Sequence, residues 1–166
     1  GPAGSSCAAF LSKAGKKVLL LDRARFPREK ICGDGISGRS VGVLSELGIL
    51  DKFKDVEHQD MYGVTFSSPD GTTAPISSGK PGEGPPGFVC RREVFDNVVF
   101  SHAKSLATKT IEGFFVKDLV MEGDWIVGIV GEFAGKETEF RAKVVVAADG
   151  AAGVIARRLG ARQDDE

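Results

Sequence analysis

The residues of this chain that could do chemistry fall in short, separated stretches. The chain opens Gly1-Pro2-Ala3-Gly4, two glycines ahead of a helix-forming segment. Glycines there let a backbone approach a ligand closely, and the N-terminus of a helix offers free N–H groups to an anion. Asp22 ends an apolar run, where a carboxylate can accept hydrogen bonds from hydroxyls. Cys32-Gly33 lies in a loop rich in glycine and charge, Arg91-Arg92 opens a second amphipathic segment, and Asp149-Gly150 follows another apolar run. No Ser-His-Asp set, metal-ligand spacing or carboxylate pair competes for catalysis, and no metal site is expected.

The elements that must position these residues can be read from the pattern. Ala3 to Ala14 is rich in Ala, Ser and Leu and predicts a helix, with Gly15 as its stop. Lys17 to Leu21 predicts a strand buried on both faces, as in a parallel sheet, ending at Asp22. Glycine turn, helix, strand, acid is the order of the Rossmann dinucleotide fingerprint with its front absent. Gly1 and Gly4 then stand as the second and third glycines of G-x-G-x-x-G. Gly1 admits a pyrophosphate, Gly4 lets the helix pack close, and Asp22 takes a ribose hydroxyl pair. The competing reading of Gly-Pro and its small neighbours is the remnant of a cleaved purification tag.

Residues 23–40, RARFPREKICGDGISGRS, read as a loop. A helix is expected from Ser37 or Ser40, with Val41, Leu44 and Leu47 on one face and Gly48 ending it. Here the chain resembles the geranylgeranyl reductase family, within the p-hydroxybenzoate hydroxylase-like group of FAD enzymes. That family carries FPR-x-K-x-CG-[DG]-G and then a helix ending in LG-[IL]. The competing reading is a solvated loop with an incidental thiol. A second block agrees: Phe88–Cys90 predicts a strand and 91–107 an amphipathic helix, whose start resembles the family's R-R-x-x-F-D. In the third block, Val144 to Ala148 predicts a buried strand, Asp149-Gly150 a sharp turn and Ala151–Leu159 a helix. This resembles the DG motif of the same group, with Gly153 where Ser is usual.

The resemblance implies the site residues. It places FAD against Gly1, Pro2, Ala3, Gly4, Asp22, Arg23, Lys30, Cys32, Arg91, Arg92, Asp149 and Gly150. Arg92 is the first choice for an arginine reaching the cofactor and Arg91 the second. The alternative for both is a helix-start cap or a pairing with Glu93 or Asp96. Cys32 and Gly33 are the catalytic candidates, on a loop beside the isoalloxazine. His102 is assigned no role.

The implied fold class is α/β: an FAD-binding Rossmann-like parallel sheet, an antiparallel meander and the beginning of a substrate domain, truncated at both ends. Thr110–Glu112 predicts a short strand; 115–121, 125–133 and 137–142 predict the meander, and Met61–Ser67 with Thr72–Ile76 a hairpin around PDG. The Gly/Pro-rich stretch 77–87 reads as a plain flexible connection. Residues 1–58 and 91–166 are assigned to the FAD-binding domain and 59–90 to the start of the substrate domain. The implied activity is hydride donation from reduced FAD to a carbon–carbon double bond of an isoprenoid or lipid-like substrate, with NAD(P)H or another electron donor. The isolated stretch is expected to be inactive. Sister activities on the fold are aromatic hydroxylation and halogenation; a cofactor-free remnant is the reading from a different class.

Composition narrows the partners. The 22 basic and 23 acidic residues nearly cancel across 166 positions, so no basic stripe points to nucleic acid. Cys7, Cys32 and Cys90 are too few and too far apart for a disulfide framework, which suits a reducing cytosol. No apolar run reaches the ~20 residues of a bilayer span, and CAAFL is too short for a signal peptide. A cytoplasmic protein, with peripheral membrane contact through its substrate, is the expectation.

Overall fold

The computed structural model describes residues 1–80, 86–151 and 153–160. Within the 77–87 connection, residues 81–85 lie outside the described residues, as do Ala152 and the 161–166 stretch. In chain order the elements are α1 (Pro2–Lys13), β1 (Leu19–Asp22), β2 (Gly35–Ile36), α2 (Gly38–Leu47), a 3-10 turn (Leu50–Phe53), β3 (Gln59–Met61), β4 (Gly63–Ser67), β5 (Thr73–Ser77), β6 (Gly87–Val89), α3 (Arg92–Leu106), β7 (Lys109–Glu112), β8 (Phe115–Glu122), β9 (Trp125–Phe133), β10 (Lys136–Arg141) and α4 (Val154–Arg158). They form two compact units, one of residues 1–26 and 99–166, the other of residues 27–98.

In the first unit β1 and β7 pair in parallel, Leu20 against Thr110, Leu21 against Ile111 and Asp22 against Glu112. The helix α1 packs on β1 and buries Ser5, Ala8 and Ala9, small residues that permit a close helix–strand approach. The later turns of α3 bury Val99, Phe100 and Ala103, and Phe100 stacks on Phe26 with ring centroids 3.9 Å apart. The meander forms in the order β8-β9-β10, as its Gly- and Asp-bearing turns require. Its inner face joins the core: Ile111, Phe114, Ile129 and Ile155 are buried, with Leu21, Val116, Leu119, Phe140 and Val145 packed against them.

The second unit is built on β6, which lies between β2 and β3 in an antiparallel sheet. Phe53, Phe88 and Phe95 form an aromatic cluster at its core, the Phe53 ring centroid 5.3 Å from each of the other two. Leu44 and Leu47 of α2 are buried, and Gly48 ends that helix in the left-handed conformation that glycine adopts without strain. The separate β4–β5 hairpin turns at Asp70, whose carboxylate accepts the Thr72 N–H at 2.8 Å.

One expected strand is absent. Residues 144–148 take no place in a hydrogen-bonded ladder. Val145 packs on the core, while Val144 and Val146 are 75% and 54% exposed. A strand exists only where a neighbour supplies its ladder, and among the described residues none lies beside 144–148. Likewise β1 has β7 on one side and no paired strand on the other among the described residues. The expected helix 151–159 is shorter, Val154–Arg158. The strands β2 and β3, two and three residues long, are too short to show any alternation in the sequence.

The β1–β7 register brings two carboxylates side by side, a repulsive arrangement unless each has its own donors. Glu112 accepts the Phe26 N–H at 2.8 Å and the Lys104 ammonium at 2.8 Å. Burial pushes the Glu112 carboxyl up, but the Lys104 and Phe26 hydrogen bonds, with the charges of Lys104 and Arg25, outweigh it and hold the group below its ordinary value. A carboxyl with a depressed folded pKa stabilises fully above its unfolded value and loses that contribution as pH falls through the folded value. Glu112→Gln is therefore expected to cost about 1–2 kcal/mol at neutral pH. Urea unfolding should show the gap between wild type and variant closing on acidification below the ordinary carboxylate range; a gap independent of pH would contradict the assignment.

Candidate functional site

The first unit assembles a glycine turn, a helix N-terminus and an acid. The Gly1 nitrogen donates to Asp22 Oδ2 at 2.8 Å, and the Ala24 N–H donates to Oδ1 at 2.9 Å. These two bonds leave acceptor capacity on the carboxylate, which has about four lone-pair positions. Pro2 occupies the first turn of α1, where its missing N–H costs nothing. The helix has no side-chain cap and no acidic residue in its first turn. Its positive end is thus not neutralised from within, and the Ala3 and Gly4 N–H groups are what an anion would meet there. Gly4 is needed for a second reason. A Cβ at this position would stand 3.3 Å from the Ala148 Cβ, at the edge of tolerable contact. That closeness brings the start of α1 beside the residue that precedes Asp149.

At the Asp149 turn, Gly150 has φ +84° and the Gly153 N–H closes onto the Gly150 carbonyl at 2.9 Å. Asp149 Oδ2 accepts the Ile155 N–H at 3.2 Å, so this carboxylate tethers the start of α4. The departure at Gly153 has a steric counterpart. A Cβ there would fall 2.2 Å from Asp149 Oδ1, so a serine would require the carboxylate to swing away. Arg23 is exposed at the surface of this unit.

The second unit gathers a different set. Lys30, Cys32 and Gly33 lie exposed on the loop, with Ile31 fully exposed between them. Arg91 pairs with Glu57 at 3.1 Å in solvent, the side chains 65% and 79% exposed; an ion pair this open contributes little. Arg92 is different. Its Nε and Nη2 donate to Asp96 Oδ1 and Oδ2 at 2.7 and 2.8 Å, a bidentate pair one helical turn apart. Arg28 Nη2 meets Asp96 Oδ2 at 2.8 Å. The Asp96 side chain is wholly buried. The hydrogen bonds that Arg92 donates to Asp96 hold its guanidinium above its ordinary value despite burial. Cys90, by contrast, is 1% exposed, and burial, with the nearby Asp34 charge, pushes its thiol up.

Arg91 thus finds Glu57 rather than Glu93 or Asp96, while Arg92 takes Asp96. Arg28 is the residue that motif reading missed. Asp96 entered it only as an alternative partner; it stands four residues after Arg92 and directly follows Phe95 on the buried stripe of α3, where an acid is tolerated only if paired.

The architecture and its relatives agree. The chain is 28% identical to the myxobacterial chondrochloren halogenase CndH, an FAD-dependent halogenase, and superposes on it with a TM-score of 0.86 over 95% of this chain and 37% of that one. It is 32% identical to the menaquinone reductase of Mycobacterium tuberculosis, over 98% of this chain and 38% of the relative. It is 28% identical to the digeranylgeranylglycerophospholipid reductase of Methanosarcina mazei, over 96% of this chain and 38% of the relative. The chain therefore spans less than two fifths of the length of each of these three proteins. All of residues 1–166 match the family model described as FAD binding domain, and the chain belongs to this family of FAD-dependent oxidoreductases.

Proposed function

We propose that this chain is the FAD-holding part of a reductase that saturates carbon–carbon double bonds in an isoprenoid chain. The observation that carries the cofactor half of this reading is the pairing of an uncapped, acid-free helix start with Asp22, whose carboxylate keeps acceptor capacity beside it. Those residues fit a dinucleotide: the Ala3 and Gly4 N–H groups toward the diphosphate, and Asp22 toward ribose hydroxyls. Bound FAD, once reduced, supplies the hydride, and NAD(P)H is the proposed electron donor. The protein's part is to bind and orient. Gly1 and Gly4 keep the approach free of side chains, Pro2 presets the first turn of the helix, Asp149 and Gly150 form the sharp turn, and Arg23 and Lys30 offer exposed positive charge. Arg92 and the Cys32–Gly33 loop are assigned to the redox end of the cofactor.

The substrate half rests on the FPREKICGDG block and on the similarity to a digeranylgeranylglycerophospholipid reductase. An isoprenoid substrate favours a cytoplasmic enzyme working at a membrane surface; no helix among the described residues is long and apolar enough to cross a bilayer. The likeness to a halogenase supports halogenation as a second reading. Product analysis separates the two. With the whole protein of which this chain is the FAD-holding part, reduced FAD and a geranylgeranyl lipid should yield a product gaining two hydrogens per double bond, whereas a halide- and dioxygen-dependent mass gain on an aromatic acceptor would favour halogenation.

For the cofactor, Asp22→Asn in the whole protein should weaken FAD binding by about 1–3 kcal/mol, the scale of a charge-assisted hydrogen bond, or roughly 5- to 150-fold. Titration followed by flavin fluorescence measures it. Unchanged affinity in a folded variant would reduce Asp22 to a strand terminus.

A further inference from the structure

Helix α4 begins without a cap of its own. Gly153 stands at the N-cap position, where a Ser, Thr, Asn or Asp side chain would accept an N–H of the first turn. The first turn of α4 carries no acidic residue either. The acceptor comes instead from the far side of the turn: Asp149 Oδ2 takes the Ile155 N–H at 3.2 Å. Asp149 is exposed and makes no ion pair among the described residues, so this amide is what gives its carboxylate a direction. Gly153 makes room for that arrangement. Its φ of −63° and ψ of 144° are open to any residue, so the backbone does not call for glycine. The neighbouring side chain does: a Cβ built at Gly153 would coincide with the Asp149 carboxyl group, its carbon and both its oxygens. A carboxylate cap from Asp149 and a side chain at position 153 are therefore alternatives.

We propose that Asp149 is a positioning residue and not a ligand of the cofactor: it supplies the cap that Gly153 lacks, and so sets the turn that stands beside the start of α1. The proposal rests on the reading above for the start of α1 as the diphosphate site, but its geometry is independent of any ligand. Asp149 acts through the Ile155 amide. That bond fixes how the chain enters α4, while the Gly153 N–H closes the turn on the Gly150 carbonyl at 2.9 Å. The other end of the turn follows Ala148, which lies against Gly4 of α1. A side chain at 153 that caps the helix by itself makes the Asp149 carboxylate dispensable, and this separates a cap from a ligand.

The experiment is a double-substitution cycle in the whole protein: wild type, Asp149→Ala, Gly153→Ser and Gly153→Ser/Asp149→Ala, with Asp149→Asn as the conservative variant. FAD affinity is measured by flavin fluorescence. Amide hydrogen exchange of the peptide holding Val154–Arg158 is followed by mass spectrometry on the FAD-free protein. Asp149→Ala should weaken FAD binding about five-fold, the value of one helix cap, and speed exchange in that peptide. Gly153→Ser brings its own hydroxyl acceptor, so in that background the same substitution should change neither readout by more than about two-fold. Asp149→Asn keeps an acceptor oxygen of the same reach and should retain both. A loss of FAD affinity from Asp149→Ala that is equal in the two backgrounds makes Asp149 a ligand and overturns the proposal. Faster exchange with unchanged FAD affinity overturns it too, since the cap then positions nothing for the cofactor. Should Gly153→Ser not fold, Asp149→Asn decides: a loss as large as that of Asp149→Ala overturns the cap. Absent FAD binding by wild type would count against the functional reading; the exchange cycle then decides the cap, upheld by rescue in Gly153→Ser and overturned without it.

Discussion

The parallel ladder between β1 and β7 sets the geometry of the first unit. It places Leu21 and Ile111 on one core face and carries Asp22 and Glu112 together to the ends of their strands. Two adjacent carboxylates in a partly buried position are tolerable only because their donors are divided. Glu112 is taken by structure, through the Phe26 N–H and Lys104. Among the described residues Asp22 accepts from the Gly1 nitrogen and the Ala24 N–H, which leaves acceptor capacity on its carboxylate. One acid of the pair is thus tied to a lysine and a backbone N–H, the other to two main-chain nitrogens. The helix start that Gly4 lets approach is aligned to it.

The second unit solves a different problem with the same physics. Its loop is rich in glycine and charge and has little apolar surface to bury, so an aromatic cluster cannot hold it. It is pinned instead by an ion pair, Arg28 to the buried Asp96. The same carboxylate orients Arg92, so the order of the loop and the direction of the arginine depend on one side chain. A single buried charge of this kind is costly to leave unpaired, which couples the local fold to the disposition of the exposed residues around Cys32.

The long periodic elements were legible in the sequence because their patterns report burial directly. The helix at Arg92–Leu106, the helix ending at Gly48 and the meander lie within a residue or two of their expected places. The strand expected at 144–148 was not found as one. Its apolar run gives the residue types of a buried strand, but a ladder needs a neighbour, and sequence pattern cannot show which neighbour is present. The strands β2 and β3 were illegible for the opposite reason: they are too short for periodicity, and only β6 between them makes them strands. Among the chemistry-bearing residues, the pairing of Arg92 with Asp96 stood among the alternatives that the sequence offered. The tie of Arg28 to Asp96 did not, because it joins a loop to a helix across 68 positions (28 to 96), and no local pattern encodes that contact.

The central claim is that the start of α1 and the carboxylate of Asp22 together receive the diphosphate and ribose of FAD. The structure of the protein with FAD bound tests it most directly. The account predicts the diphosphate against the Ala3 and Gly4 N–H groups and a ribose hydroxyl donating to Asp22. FAD bound with its diphosphate elsewhere, and Asp22 touching only Gly1 and Ala24, would contradict it.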